Sequence, residues 1–336
     1  MKNVRLSSIL AVLFPVLVHA QSYTWSTLAG LPPQVGTADG SANDARFHYP
    51  TGLVSDPAGN LYVCDTFNHT IRKVAPDGSA TTLAGLAGVS GTADGIGAAA
   101  RFNNPQGIAI DAARNLYVAD RLNFTVRKIT PAGAVTTLAG LARSSGSTDG
   151  TGGGARFNNP WGIAVAADGT VYVSDRLNHT IRKVTANGDV TTCAGLVGTV
   201  GSTDGPALDA RFNFPSGLTL GPDGSLFVAD SNNYTVRRIA PDGIVSTFAG
   251  TARISGTTNA TGAAARFTVI YELAFDAAGD LYVADFTYNR VRKISPAAEV
   301  STFAGNSAGR GSVNGTGLVA RFFQPNGIAR GADGNI

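Results

Sequence analysis

The sequence predicts an all-β fold: a six-bladed β-propeller of four-stranded antiparallel blades built from 55-residue repeats, its last blade incomplete. The first observation behind this is a period that never slips. Pro50, Pro105, Pro160, Pro215 and Pro325 fall on a spacing of 55, and Ile270 fills the remaining place. Each is preceded by Ala-Arg-Phe and two further residues. A fixed period of this size marks one supersecondary unit copied several times, each copy burying its apolar face against a neighbour. The second observation is that every full period holds four short runs rich in Val, Ile, Thr and Tyr, too short for helices. Four strands per repeat is the mark of a propeller blade.

In the second copy the runs are 107–110, 116–119, 125–129 and 135–139. Turn residues separate them: Asp111 to Asn115, Asp120 to Asn123 and Pro131 to Gly133. The stretch from Gly140 to Asn159 links this blade to the next, and 153–157 can form a single helical turn. The blade cores fall at about 52–85, 107–140, 162–195, 217–250 and 272–305. Innermost strands begin near Gly52, Gly107, Gly162, Gly217, Glu272 and Gly327, and outer strands end at Gly30, Gly85, Gly140, Gly195, Gly250 and Gly305. The two middle strands recur only five times. A sixth blade would therefore combine residues 22–30 with 327–336 and lack its centre. The expectation is a fragment whose bare strand edges favour association, and a monomer once the ring is completed.

Leu61-Tyr-Val-Cys-Asp65 followed by Asn68-His-Thr-Ile-Arg72 resembles the signature of NHL-repeat proteins, as do 116–127, 171–182 and 226–237. The fifth copy departs from it, with Tyr288 in place of Asn. The resemblance covers nearly all of the chain after residue 20. It implies a six-bladed propeller and little about activity, because that family includes binding modules, sensor domains and a few lyases.

Lys2 and Arg5 precede an apolar stretch, Ile9 to Val18, and Val18-His19-Ala20 is a small-residue cleavage pattern. This reads as a signal peptide, residues 1–20, ahead of a single propeller over 21–336 that is secreted to an extracellular or periplasmic space. The stretch is too short for a membrane span. Without it 24 cations face 23 acids, so the net charge falls from +3 to +1. That balance offers no electrostatic case for nucleic acid. The pairs Arg72-Lys73, Arg127-Lys128, Arg182-Lys183 and Arg292-Lys293 read as a solvated blade rim.

No cofactor is expected. Cys64 and Cys193 hold different strand positions in different blades, which argues for two buried free thiols rather than a disulfide. His69 and His179 share a repeat position with Phe124 and Tyr234, so packing is preferred to metal ligation. His48 aligns with Asn103, Asn158 and Asn213 and reads as a polar loop residue. The NHL-type lyases implied by the resemblance need several histidines converging on zinc, which these positions do not supply. Asp39, Asp94, Asp149 and Asp204, each before a Gly, are weak calcium candidates with one carboxylate per loop. Arg46, Arg101, Arg156, Arg211, Arg266 and Arg321 recur before Phe in all six copies and read as a structural ring, paired with turn carboxylates or stacked at the blade junction. Asp65, Asp120, Asp175, Asp230 and Asp285 belong to the same architectural set.

Function is expected where the symmetry breaks. The residue after the repeat proline varies freely: Thr51, Gln106, Trp161, Ser216, Tyr271 and Asn326. These six should ring the mouth of the central channel on the top face, where the loop after the second strand and the inter-blade segment emerge. Beside Tyr271, Glu272 replaces a glycine present in the other five copies. The set reads as a binding mouth for a protein, peptide or glycan. The alternative is a channel-mouth enzyme of the lyase or lactonase kind, but no acid–base or nucleophile constellation is visible.

Overall fold

The four runs of each repeat pair in chain order to form an antiparallel sheet. In blade 2 the strands are Pro105–Ile110, Leu116–Asp120, Thr125–Ile129 and Ala134–Ala139. The computed structural model describes residues 23–306 and 309–336, so the expected signal peptide lies outside the described residues. Innermost strands of consecutive blades lie side by side around a central channel. The protein is an all-β propeller with antiparallel sheets.

The blade count departs from expectation: among the described residues five complete blades form, not six. Three of the five sheets also have five strands rather than four. The extra strands, Gly95–Ile96, Gly150–Thr151 and Gly205–Pro206, come from the inter-blade segments and pair with the outer strand of the following blade. They cover an edge that would otherwise expose unpaired N–H and C=O groups. At the sixth position Thr24–Trp25 pairs with Gly315–Thr316, and residues 327–336 form no strand. With no middle strands described between them, these two segments do not join into one sheet. Residues 327–330 instead lie along blade 1, where Ser55 Oγ donates to Arg330 O at 2.6 Å.

Each innermost strand is irregular at one place. The register shifts between Pro105 and Ile108, and at the matching residues of the other four blades. A bulge of this kind re-aims side chains. It also brings neighbouring strands so close that a Cβ at Gly162 would overlap Ser216 O. Glycine is required there for backbone approach.

The apolar core lies between blades. One cluster joins Cys64 and Ile71 of blade 1, Phe102 of the linking segment, and Leu116, Val118 and Ile129 of blade 2. The arginine of each Arg-Lys pair therefore does not belong to a solvated rim as expected, whereas the lysines stay half-buried or, at Lys183, exposed. Arg72, Arg127, Arg182, Arg237 and Arg292 are at most 1 % exposed. Burial is tolerated because every guanidinium is paired. Arg182 Nη1 donates to Asp175 Oδ2 at 2.8 Å and Nη2 to Asp149 Oδ1 at 2.6 Å, over the Phe157 ring.

Candidate functional site

The Asp at the end of each second strand anchors the top face. Asp175 accepts from the Asn158 N–H at 2.6 Å, Asn178 Nδ2 at 2.7 Å and Arg182. Asp65, Asp120 and Asp230 make the same three contacts, and Asp285 uses Thr268 and Arg292. Burial pushes Asp120, Asp175 and Asp230 up to about 6, against the pull of the paired arginine. These groups are consumed internally.

The calcium candidates are engaged in the same way. Asp39, Asp94, Asp149 and Asp204 each accept from a buried arginine and from the N–H and hydroxyl of Thr82, Thr137, Thr192 or Thr247. The Arg46 series does not pair with carboxylates. Arg156 Nη1 donates to Gly153 O and Ala155 O at 2.7 Å, closing the short turn Gly152–Gly154, and Arg46, Arg101, Arg211, Arg266 and Arg321 do likewise.

His69 and His179 sit in left-handed turns, where Nδ1 accepts from the Asn104 and Phe214 N–H groups. Burial lowers both imidazoles. Both cysteines are free; Cys64 is buried and Cys193 only partly so, and burial raises the Cys64 thiol far from reactivity at neutral pH. Among the described residues no three His, Cys, Asp or Glu side chains gather in a metal-binding group.

The six variable positions divide. Thr51 and Ser216 are buried, Thr51 as a link to the next blade and Ser216 within its own. Thr51 Oγ1 donates to Gln106 O at 2.8 Å and lies 2.7 Å from Thr66 Oγ1; Ser216 Oγ lies 2.7 Å from Ser231 Oγ of its own blade. Gln106 is 3 % exposed. Trp161 and Tyr271, two blades apart, come together with ring centroids 5.4 Å apart, and Tyr271 also meets Phe286 at 4.7 Å. Asn326 reaches the mouth beside Tyr49, which is 42 % exposed and stacks on Phe67.

Sequence reasoning missed two arginines. The Arg121 guanidinium lies 4.9 Å from the Trp161 ring centroid and that of Arg176 lies 4.2 Å from it. Both are half-buried and neither forms an ion pair among the described residues, although Arg176 donates a hydrogen bond to the Tyr271 side chain. A signal for them existed. They occupy a second variable position, the residue after the repeat Asp, which reads Thr66, Arg121, Arg176, Ser231 and Phe286.

Glu272 departs from its expected place at the top. It lines a cavity of about 490 Å³ in the lower part of the channel, among Ile108, Ile163, Leu218, Leu273 and Ile328. Burial pushes its carboxyl up to about 8, and no cation offsets the shift.

A propeller that gathers an aromatic and arginine cluster at one end of its innermost strands, and a cavity lined by Glu272 along them, is the class that this geometry defines. The NHL repeat model matches residues 47–74, 102–129, 157–184 and 212–239. The chain belongs to the NHL-repeat β-propeller family. It is 27 % identical over 323 residues to NHL repeat-containing protein 2 of Bos taurus, covering 86 % of this chain and 44 % of that one. The Homo sapiens protein of the same name is 34 % identical over 151 residues, covering 41 % and 21 %. The chain thus spans less than half the length of these curated relatives. An auxiliary nutrient binding protein from Bacteroides thetaiotaomicron has a similar structure, with TM-score 0.71 at 16 % identity, covering 94 % of this chain and 73 % of that one. A streptogramin B lyase aligns with TM-score 0.56 at 15 % identity, covering 93 % of each. At such identities the likeness establishes the fold alone. No helix among the described residues is long and apolar enough to cross a membrane.

Proposed function

We propose that this chain is an exported scaffold that binds a protein, peptide or glycan on its top face, beside the channel mouth. The observation that carries this reading is where the symmetry fails. The repeated groups satisfy one another inside the blades. Trp161, Tyr271, Arg121 and Arg176, which no repeat rule requires, converge on the mouth. Aromatic rings and arginines of this kind supply most of the energy at binding surfaces. The name of the Bacteroides auxiliary nutrient binding protein agrees with a binding role, although the same fold also carries a lyase. The mouth residues, rather than the fold, favour binding.

Export rests on Lys2, Arg5 and the apolar run before Ala20. Expression with the leader intact should yield a mature chain beginning at Gln21 by mass spectrometry; an unprocessed chain retained in the cytoplasm would refute it. We also favour a ring of six-blade type. Gly327 lies against Thr51 O as Gly107 does against Trp161 O, so 326–330 act as a sixth innermost segment.

Labelled protein on glycan and peptide arrays tests the function. Tyr271→Ala removes a partly exposed ring outside the repeated core. It should weaken binding of the selected ligand by about tenfold or more while changing stability by ~1 kcal/mol. Trp161→Ala is a poorer test: the ring is 7 % exposed, and its loss should cost about 3–5 kcal/mol of stability. Unchanged affinity in a folded Tyr271→Ala protein would remove the mouth from consideration.

A further inference from the structure

Building on the mouth as the binding site, we infer that it accepts an oxyanion, a carboxylate or phosphate group on the ligand, between Arg121 and Arg176. The five buried arginines of the blades offer the contrast. Arg72, Arg127, Arg182 and Arg237 each hold two carboxylates, and Arg292 holds one carboxylate and the Asn259 amide. Arg121 and Arg176 hold none among the described residues. They are nevertheless half-buried, gathered over one indole, and close enough for the charge of Arg121 to act on Arg176.

The architecture does not need cations at this position. Thr66 and Ser231 stand there in blades 1 and 4, and each donates to a carbonyl of the next blade: Thr66 Oγ1 to Pro105 O at 2.7 Å and Ser231 Oγ to Ile270 O at 2.6 Å. A hydroxyl therefore suffices for the joint between blades. Two guanidiniums gathered on one indole repel each other until an anion joins them, and their planar forks match the oxygens of a carboxylate or phosphate. Glu272 is not the internal counter-ion: it lies in the lower cavity and its titration responds to burial alone. Stacking of both guanidiniums on Trp161 holds the forks in place before the ligand arrives. Tyr271 and the exposed Tyr49 flank them and offer apolar area to the rest of the ligand.

Trp161 supplies its own readout, since the sequence has only two tryptophans. In the Trp25→Phe protein, its fluorescence is titrated with benzoate, with the neutral isostere benzamide and with inorganic phosphate. Benzoate or phosphate should give a saturable change and benzamide none. If benzoate alone responds the anion is a carboxylate, and if phosphate binds more tightly it is a phosphate ester; either supports the inference. Raising salt to about 0.5 M should weaken the response. Arg176→Gln should reduce affinity by about tenfold or more, and Arg176→Lys, which keeps the charge without the fork, by less. Circular dichroism melts identify any variant that fails to fold, in which case Arg121→Gln and Arg121→Lys give the same comparison.

Equal responses to benzoate and benzamide would overturn the inference, as would silence to both anions up to about 50 mM, far above a millimolar Kd. Array binding that depends on Tyr271 would survive such a result, so failure here is distinct from failure of the mouth as a binding site.

Discussion

Replacing Arg182 with leucine is expected to lower the unfolding free energy by about 3–5 kcal/mol, the cost of leaving a buried charge without its partner. The guanidinium is fully buried and joins Asp175, Asp149 and the carbonyls of Arg156 and Thr148. Its removal strands Asp175, which is 0 % exposed and keeps only the Asn158 and Asn178 donors. Without the cation the Asp175 carboxyl must take up a proton for the blade to close. That costs more at high pH, so urea melts should show a larger loss at pH 8 than at pH 5. Arg156→Ala removes only half-exposed carbonyl contacts and should cost ~1 kcal/mol. If the two variants were equally stable, the buried Asp–Arg pair would not be what holds inner sheet and linking segment together.

Replacing Glu272 with glutamine is expected to stabilise the protein, increasingly as the pH rises above about 4.5. Its folded-state pKa, about 8, lies above the ordinary 4.5. The neutral carboxyl is therefore the favoured form in the folded chain. The stability associated with it is fully present below pH ~4.5 and is lost as the pH rises through ~8. Glutamine keeps the shape and never ionises. At pH 9 the variant should gain on the order of 2–4 kcal/mol, less than a dry site would give because the cavity admits water. At pH 4 the two proteins should melt together. A variant less stable at pH 9 would mean that the carboxylate has a partner in the channel.

The fold was legible because a 55-residue period and four β-rich runs per copy survive in every complete blade. The fifth strands were not, since Gly95–Ile96 and its counterparts are two residues long. Arg72 and its repeats were misplaced for a physical reason. Alternation along a strand predicts one wet face, whereas a propeller blade is covered on both faces by its neighbours. The spacing from Asp65 to Arg72 recurs in every complete blade and was the available clue. At the mouth, Trp161 and Tyr271 were legible as breaks in the repeat. The burial of Thr51 and Ser216 was not, because Thr51 bonds to the adjacent blade and Ser216 to a turn fifteen residues on, contacts that tertiary structure alone brings into reach. Glu272 was assigned to the mouth by its chain neighbour Tyr271, but adjacent strand residues point to opposite sides.

The central claim is that ligand binds at the aromatic and arginine cluster of the upper end rather than in the cavity that holds Glu272. Hydrogen–deuterium exchange with and without the array-selected ligand tests it directly. Protection should appear in the upper turns, residues 121–124, 176–179 and 286–289, and leave the lower turns at 56–60, 111–115 and 276–280 unchanged. Protection confined to the lower turns would contradict the account and move the site to the cavity that holds Glu272.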